Sequence, residues 1–301
     1  MAAVPARARL QKRRVLIVGG GLAGLAAARE LKDRFRVTVV DAKEYFEFTP
    51  GILRAYADPQ KWDSMTFLYH SVLERRFGIR FVWGEVTGFE VDGQVRRAKV
   101  RPMFAKKEDL VPFDYCVIAG GCNFNQFAPT GESPWFPTVH ECNRMNSDTA
   151  RRLDERYLGG RRRRIYDEHY SLCALNARSA NVLIVGAGYA GVEWACELEH
   201  YFPQLQVTLT DFRPRCLDGL PQRAADYCEE YMCSRGIRTC YGLKYDPENL
   251  QFWSQIGLPR FADKTYILAG VQHSNYFMQP NTLSEKGPGG GGWVHFNKHL
   301  Q

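Results

Sequence analysis

Apolar positions along this chain change rhythm in a repeating order. Val15-Leu-Ile-Val18 is continuous and stops at glycine, Leu22 to Leu31 carries leucine and alanine at helical spacing, and Arg36 to Val40 is continuous again before Asp41. The pattern predicts strand, turn, helix, strand. The same order returns from Asn181 to Asp211. Between the two copies, Ile79–Trp83, Val86–Val91 and Val95–Val100 alternate around Gly84 and Asp92-Gly93, which predicts an antiparallel meander. Asp114 to Ala119 reads as a buried strand ending at Gly120-Gly121. Residues 122–180 are loop-rich, with Pro129, Gly131, Pro134 and Pro137, followed by a polar helix over Ser147–Leu158. A second polar helix is expected over Gln222–Arg235, a short strand over Tyr266–Ala269, a flexible turn over Gly287–Gly292 and a last strand over Gly292–Phe296. Strands alternating with helices make this an α/β chain.

With 301 residues and 45% hydrophobic content, two domains fit better than one. The longest apolar run, Val15 to Ala28, holds four glycines and ends at Arg29, so no transmembrane segment is predicted. The net charge of +7 suits an anionic ligand, but 33 acidic residues are mixed among 40 basic ones and no nucleic-acid partner is implied. The run Arg161–Arg164 follows Gly159-Gly160 and reads as a solvated loop. Nine cysteines form no Cys-x-x-Cys pair, and Cys228 and Cys233 read as structural thiols on one helix. His295 and His299 have helical ligand spacing in a strand-like segment without a third ligand, so no metal is expected. Residues 1–14 contain Arg7, Arg9, Lys12, Arg13 and Arg14 and no acid. That is the charge signature of a mitochondrial presequence, whereas the shortness and the lack of serine fit a basic tail on a cytoplasmic protein equally well.

Each strand-turn-helix unit carries Gly-x-Gly-x-x-Gly, first as Gly19, Gly21 and Gly24, then as Gly186, Gly188 and Gly191. The first glycine makes the tight turn, the second admits a pyrophosphate to the backbone, and the third lets helix and strand pack closely. The helix N-terminus, with Leu22 and Ala23 in one copy and Tyr189 in the other, presents free N–H groups to the anion. Asp41 and Asp211 follow at strand ends about 20 residues on, where a ribose hydroxyl is received. Two such loops predict two Rossmann-like three-layer domains and two dinucleotides, one a held flavin and the other an exchangeable nicotinamide. Asp41 suits the adenosine ribose of FAD. Asp211 favours NADH by repelling a 2′-phosphate, with Arg213 and Arg215 keeping NADPH open.

The chain resembles the two-dinucleotide-domain flavoproteins, within them the type II NADH dehydrogenases and the apoptosis-inducing-factor-like members of the pyridine nucleotide-disulfide oxidoreductases. The resemblance rests on both glycine motifs, Tyr45-Phe-Glu-Phe-Thr-Pro50, the strand ends Ala119-Gly-Gly121 and Ala269-Gly270, and Gly191-Val-Glu193. It implies that Thr49 and Pro50 pass beside the isoalloxazine, that Ala119, Gly120, Ala269 and Gly270 border the cofactors, and that Glu193 lies near the nicotinamide. Otherwise Thr49-Pro50 is a plain turn and Glu193 a first-turn acid favoured by the helix dipole. It implies an FAD domain of residues 14–150 plus 265–301, with an NAD(H) domain of 151–264 inserted. The implied activity is NADH oxidation through flavin to a quinone-like acceptor; the rivals are a degenerate interaction module and a soluble NAD(P)H oxidase. Peripheral membrane contact and a homodimer are both compatible with this class. Residues 25–60 hold no cysteine, which removes the dithiol relay of the disulfide reductases. In the family a Gly-Asp pair follows a segment like Gly292-Trp293, and its absence before Gln301 leads to an expectation of incomplete FAD retention.

Overall fold

The computed structural model describes residues 12–103, 105, 107–124, 156–259, 261–287, 290–299 and 301. The expected prolyl loop, residues 147–155 of the polar helix and Arg7 and Arg9 of the basic start lie outside them. In chain order the elements begin with β1 (Arg14–Val18), α1 (Leu22–Leu31), β2 (Arg36–Asp41), β3 (Tyr45–Glu47), α2 (Ile52–Ala57), β4 (Thr66–Leu68), β5 (Arg80–Asp92), β6 (Val95–Pro102), β7 (Asp109–Pro112) and β8 (Tyr115–Ile118). They continue with β9 (Cys122–Phe124), α3 (Leu158–Ala177), β10 (Asn181–Val185), α4 (Tyr189–Tyr201), β11 (Gln206–Asp211), α5 (Gln222–Ser234), β12 (Arg238–Tyr241), α6 (Leu250–Gln255), β13 (Lys264–Ile267) and β14 (Val271–His273).

The chain divides into two compact units. The first takes Met1–Phe46, Phe67–Gly121 and Asn275–Thr282, and the second takes Glu47–Thr66, Cys122–Ser274 and Leu283–Gln301. Against the division expected from sequence, residues 47–66, 122–124, 265–274 and 283–301 thus cluster with the second unit, leaving only Asn275–Thr282 of the chain's last part in the first.

The first unit is built on a six-stranded sheet in the order β7-β6-β5-β2-β1-β8. Strands β5, β2, β1 and β8 run parallel, and β6 and β7 extend the sheet antiparallel. Alternation along β1 buries both faces of the sheet. Val15 and Ile17 pack with Ala28, Val37, Val39 and Tyr69 on one side, while Leu16 and Val18 pack with Val86, Ala98, Val100 and Phe113 on the other. Burial of each such aliphatic side chain contributes about 1.5–3 kcal/mol. These layers are helix, parallel sheet and meander.

The meander differs from expectation at Gly84, which is not a turn. Strand β5 runs through it, pairing parallel with β2 up to Trp83 and antiparallel with β6 beyond, with an irregularity between Val86 and Gly88. A Cβ at Gly84 would lie 2.6 Å from the Arg101 carbonyl oxygen, so the glycine serves close strand approach instead.

The second unit holds a parallel sheet in the order β12-β11-β10-β13. Leu183 and Val185 pack against Phe252, Trp253 and Ile256, and helix α4 buries Trp194, Ala195 and Leu198. Two further expectations fail here. The segment Gly292–Phe296 forms no strand and makes one isolated bridge, Leu283 to Val294. The arginine run is not a solvated loop: Gly159, Gly160 and Arg161–Arg164 are the opening turns of α3. Arg161 is buried, its Nε 2.9 Å and its Nη2 3.1 Å from the two carboxylate oxygens of Glu47, with Nη1 donating to Tyr56 Oη at 3.0 Å. No helix among the described residues is long and apolar enough to cross a membrane.

Candidate functional site

The two glycine loops are geometrically alike. Gly19 has φ +99° and Gly186 φ +112°, a region that L side chains rarely adopt. A Cβ at Gly19 would lie 2.3 Å from the carbonyl oxygen of Ala119, and one at Gly186 would lie 2.6 Å from that of Leu268. Each loop therefore presses on the end of the adjacent parallel strand. The third glycines are equally constrained, since a Cβ at Gly24 would come within 1.9 Å of Gly19 O and one at Gly191 within 1.7 Å of Gly186 O. The second glycines behave differently. A Cβ at Gly21 or Gly188 would meet nothing within 4 Å.

That open space lies at helix N-termini. Gly21 caps α1 with φ −65° and ψ −169°, Gly188 caps α4 with φ −78° and ψ −168°, and neither helix has a side-chain cap or an acid in its first turn. The first-turn amides at Leu22, Ala23 and Gly24, and at Tyr189, Ala190 and Gly191, lack intrahelical acceptors by geometry. A diphosphate fits such a place: the positive helix end attracts it, and glycine leaves room for it.

The two acids are placed alike as well. Asp41 Oδ2 accepts the N–H of Gly20 at 2.7 Å and Oδ1 accepts that of Lys43 at 2.8 Å. Asp211 Oδ2 accepts the N–H of Ala187 at 2.7 Å and Oδ1 that of Arg213 at 2.9 Å. Each carboxylate thus ties the middle of its glycine loop to the strand end. Four lone-pair sites on a carboxylate leave capacity for a ribose hydroxyl. The strand ends follow suit: Ala119 and Gly120 lie just beyond β8 and Ala269 and Gly270 just beyond β13, with Gly121 at φ +67° and Gly270 at φ +81°.

Tyr69 completes the first loop and was not foreseen. Its hydroxyl donates to Gly20 O at 2.8 Å, and its ring stands 2.7 Å from where a Cβ on Gly20 would be. This explains a third consecutive glycine in the first copy where the second has Ala187. A tyrosine 49 residues away leaves no local signal in the sequence.

Thr49 and Pro50 fall in the second unit, in a short 3₁₀ turn, Thr49–Gly51, leading into α2. The same unit holds Glu193, which is the fifth residue of α4 and so lies beyond the first turn, contrary to the bland reading of it as a dipole-favoured acid. Arg54 on α2 grips Glu197, one turn further along α4, with Nε at 2.7 and 2.8 Å from its two oxygens and Nη2 at 2.6 Å. Partial desolvation raises the Glu193 pKa, the Glu197 carboxylate raises it further, and Arg54 opposes both. Arg54, Glu197 and Glu193 thereby belong to one charge cluster, with Thr49-Pro50 in the turn that precedes α2. Arg54 and Glu197 are the members that the sequence did not disclose.

Arg213 and Arg215 are both drawn to Asp218, at 3.7 and 3.4 Å, and Arg215 Nη2 also donates to the carbonyls of Asp218 and Leu220 at 3.0 and 2.9 Å. Tyr189 and Phe212 are exposed beside the second loop.

Residues 13–245 match the family model described as pyridine nucleotide-disulphide oxidoreductase. The chain belongs to that family. It is 35% identical over 195 residues to apoptosis-inducing factor homolog B of Dictyostelium discoideum, an alignment covering 64% of this chain and 40% of that protein. It is 23% identical over 245 residues to the type II NADH:quinone oxidoreductase of Staphylococcus aureus, covering 75% of this chain and 56% of that protein. The chain therefore spans about half the length of these relatives. Among solved structures, that of NDH2 from Plasmodium falciparum in complex with NADH superposes with a TM-score of 0.53 at 16% identity, covering 77% of this chain and 48% of that one. As in those proteins' family, the fold is a mixed α/β one with two dinucleotide-type units.

Proposed function

We propose that the chain is an FAD-dependent NADH oxidoreductase, in which flavin takes hydride from NADH and passes electrons on to a quinone-like acceptor. The observation that carries this reading is the duplicated loop, with both second glycines open and both acids clamping the loop behind them. In this reading the first loop serves FAD: amides from Leu22, Ala23 and Gly24 face its diphosphate, Asp41 its adenosine ribose, and Ala119 and Gly120 its remaining edge. The second loop serves NAD(H). Gly188, Tyr189 and Gly191 face the diphosphate, Asp211 receives the ribose, Ala269 and Gly270 border the cofactor, and Glu193 lies toward the nicotinamide. Glu193 acts through its charge, its pKa raised by desolvation and by the Glu197 carboxylate. The quinone-like acceptor is supported by likeness to the staphylococcal relative, and no nucleic acid enters the scheme.

The test is spectroscopic. Purified protein reconstituted with FAD should show flavin absorbance that bleaches on anaerobic addition of NADH and recovers on addition of a short-chain quinone. Bound FAD that NADH leaves oxidised would sink the reading. Recovery driven by oxygen as fast as by quinone would redirect it to an oxidase.

A further inference from the structure

At the opposite edge of the first unit's sheet from the glycine loop lies a groove of about 1360 Å³, in which seven lining residues are lysine or arginine and two are acidic. The parallel strands β5, β2 and β1 begin there, and each begins with arginine: Arg80, Arg36 and Arg14. Arg14 and Arg36 are direct register partners, and Arg80 is the partner of Thr38, two residues along β2 from Arg36. Like charges on neighbouring strands are destabilising when nothing stands between them.

Arg14 is neutralised by Asp114, with Nη2 2.8 Å from Oδ1 and Nε 3.2 Å from Oδ2. Arg36 and Arg80 are exposed and, among the described residues, form no ion pair. Nor do Arg13, which lies 5.8 Å over the Tyr115 ring, and Arg96, whose Nη1 donates to the carbonyl of Asp114 at 2.9 Å. Three features oppose an anion: the C-terminal end of α1, worth roughly half a negative charge, the Asp114 carboxylate held by Arg14, and the Glu74 carboxylate, which accepts the N–H of Phe81 at 3.2 Å and meets His70. Lys12, which donates to the Asp33 carbonyl at 2.6 Å, and Lys32, paired with the Asp33 carboxylate at 3.0 Å, stand at that helix end, and the arginines of the groove outnumber its two carboxylates.

We propose that this groove binds a small molecule carrying several clustered phosphates. Guanidinium forks suit phosphate oxygens, and Arg36, Arg80 and Arg96, which form no ion pair among the described residues, suit more than one anionic group. Strand spacing and rise put the Arg36 and Arg80 backbones about 8 Å apart, a span that neighbouring phosphates bridge and a single carboxylate does not. The groove exceeds the roughly 300–1,000 Å³ of ordinary ligand pockets, leaving room for a polyphosphate with its water. It is separate from the dinucleotide loops: five residues of β1 at about 3.3 Å each set the two edges some 16 Å apart, and the ends of parallel strands that ordinarily take nucleotides are the carboxyl ends. It absorbs Lys12, Arg13 and Arg14, the part of the basic start that the proposed oxidoreductase does not use.

Calorimetric titration of the full chain with tripolyphosphate at about 0.15 M salt tests this, in the parent, in Arg36→Gln/Arg80→Gln and in Arg223→Gln, an exposed basic site on α5 outside the groove. One saturable site is expected, weakened at least about tenfold in the double variant and unchanged in Arg223→Gln. A parallel arm with phosphatidylcholine vesicles containing phosphatidylinositol 4,5-bisphosphate distinguishes the source: preference for vesicles over tripolyphosphate assigns the groove to a lipid headgroup, and the reverse to a free polyphosphate. Absence of saturable binding in both arms overturns the proposal, as does equal loss in Arg223→Gln and the double variant. Circular dichroism of each variant, and FAD binding left intact in the double variant, separate a local effect from misfolding.

Discussion

Arg54 and Glu197, 143 residues apart in sequence, meet through three contacts of 2.6 to 2.8 Å and set the charge around Glu193 one turn away. The arginine side chain is 49% exposed and the glutamate 11%, so the pair is half-solvated. Its direct contribution to stability is on the order of 1 kcal/mol after solvent screening. Its larger consequence is electrostatic.

Arg54→Met should raise the Glu193 pKa further, because the cation that opposes desolvation and the Glu197 carboxylate is gone. Glu197→Gln should lower it, since repulsion disappears and Arg54 is released. Carboxyl-carbon NMR titration of Glu193 reads both directions, and equal midpoints in parent and variants would refute the coupling. The stability consequence has a definite sign. A carboxyl whose folded pKa lies above its unfolded value binds more protons when folded, so its contribution is neutral below the unfolded pKa of 4.5 and becomes a cost as pH rises through the folded value. In Glu193→Gln that acid-side slope should flatten.

Gly21→Ala and Gly24→Ala should fail in opposite ways. A methyl on Gly21 meets no protein atom and sits at an ordinary φ, so the unfolding midpoint should hold while FAD retention falls. A methyl on Gly24 would lie 1.9 Å from Gly19 O, and the forced shift should cost about 1–3 kcal/mol before any ligand is considered. The pair Gly188 and Gly191 should repeat the contrast for NADH. Guanidinium denaturation run beside the flavin-to-protein absorbance ratio separates the two effects, and a destabilised Gly21→Ala would contradict the open cradle.

Arg161 and Glu47 are both nearly dry, with side chains 3% and 8% exposed. Arg161→Met or Glu47→Gln alone should cost about 3–5 kcal/mol by removing the opposite charge from a buried ion pair, whereas the double variant should recover a large part. For a unit of this size each kcal/mol moves Tm by about 2–4 °C, so scanning calorimetry of the three proteins suffices. Additive losses in the double variant would show that the two charges do not depend on each other.

What could be read from the chain follows from how local each constraint is. The loops Gly19–Gly24 and Gly186–Gly191 were legible because their chemistry is main-chain, and only glycine satisfies a positive φ and sub-3 Å backbone approaches. Asp41 and Asp211 were legible by distance from those loops. Arg54 was invisible, because its partner is a long-range one and nothing near it marks it. Gly159-Gly160 misled for a physical reason: the pair reads as a loop, yet it stands in the opening turn of α3, and Glu47 supplies the partner that makes a buried arginine tolerable. Gly84 misled similarly, since a glycine needed for close strand approach and one needed for a turn look the same in sequence.

A preference for NADH is expected from Asp211 and from what occupies the neighbouring arginines. A 2′-phosphate entering near Asp211 meets a carboxylate already engaged with the amides of Ala187 and Arg213. The two cations that would welcome it, Arg213 and Arg215, are turned toward Asp218. Both facts disfavour NADPH, and discrimination of at least about tenfold, near 1.4 kcal/mol, is expected. Asp218→Asn should narrow the gap by releasing the arginines while leaving NADH use unchanged, because Asp218 makes no contact with the loop amides that hold Asp211. Asp211→Asn should narrow it by the other route, removing the repelling charge while keeping one acceptor for the loop, and should weaken NADH as well. Stopped-flow flavin reduction with each nucleotide, in the parent and both variants, measures the ratio. Equal NADH and NADPH efficiencies in the parent would dismiss Asp211 as the discriminator, and an unchanged ratio in Asp218→Asn would mean that the arginines point away from the nucleotide whatever Asp218 does.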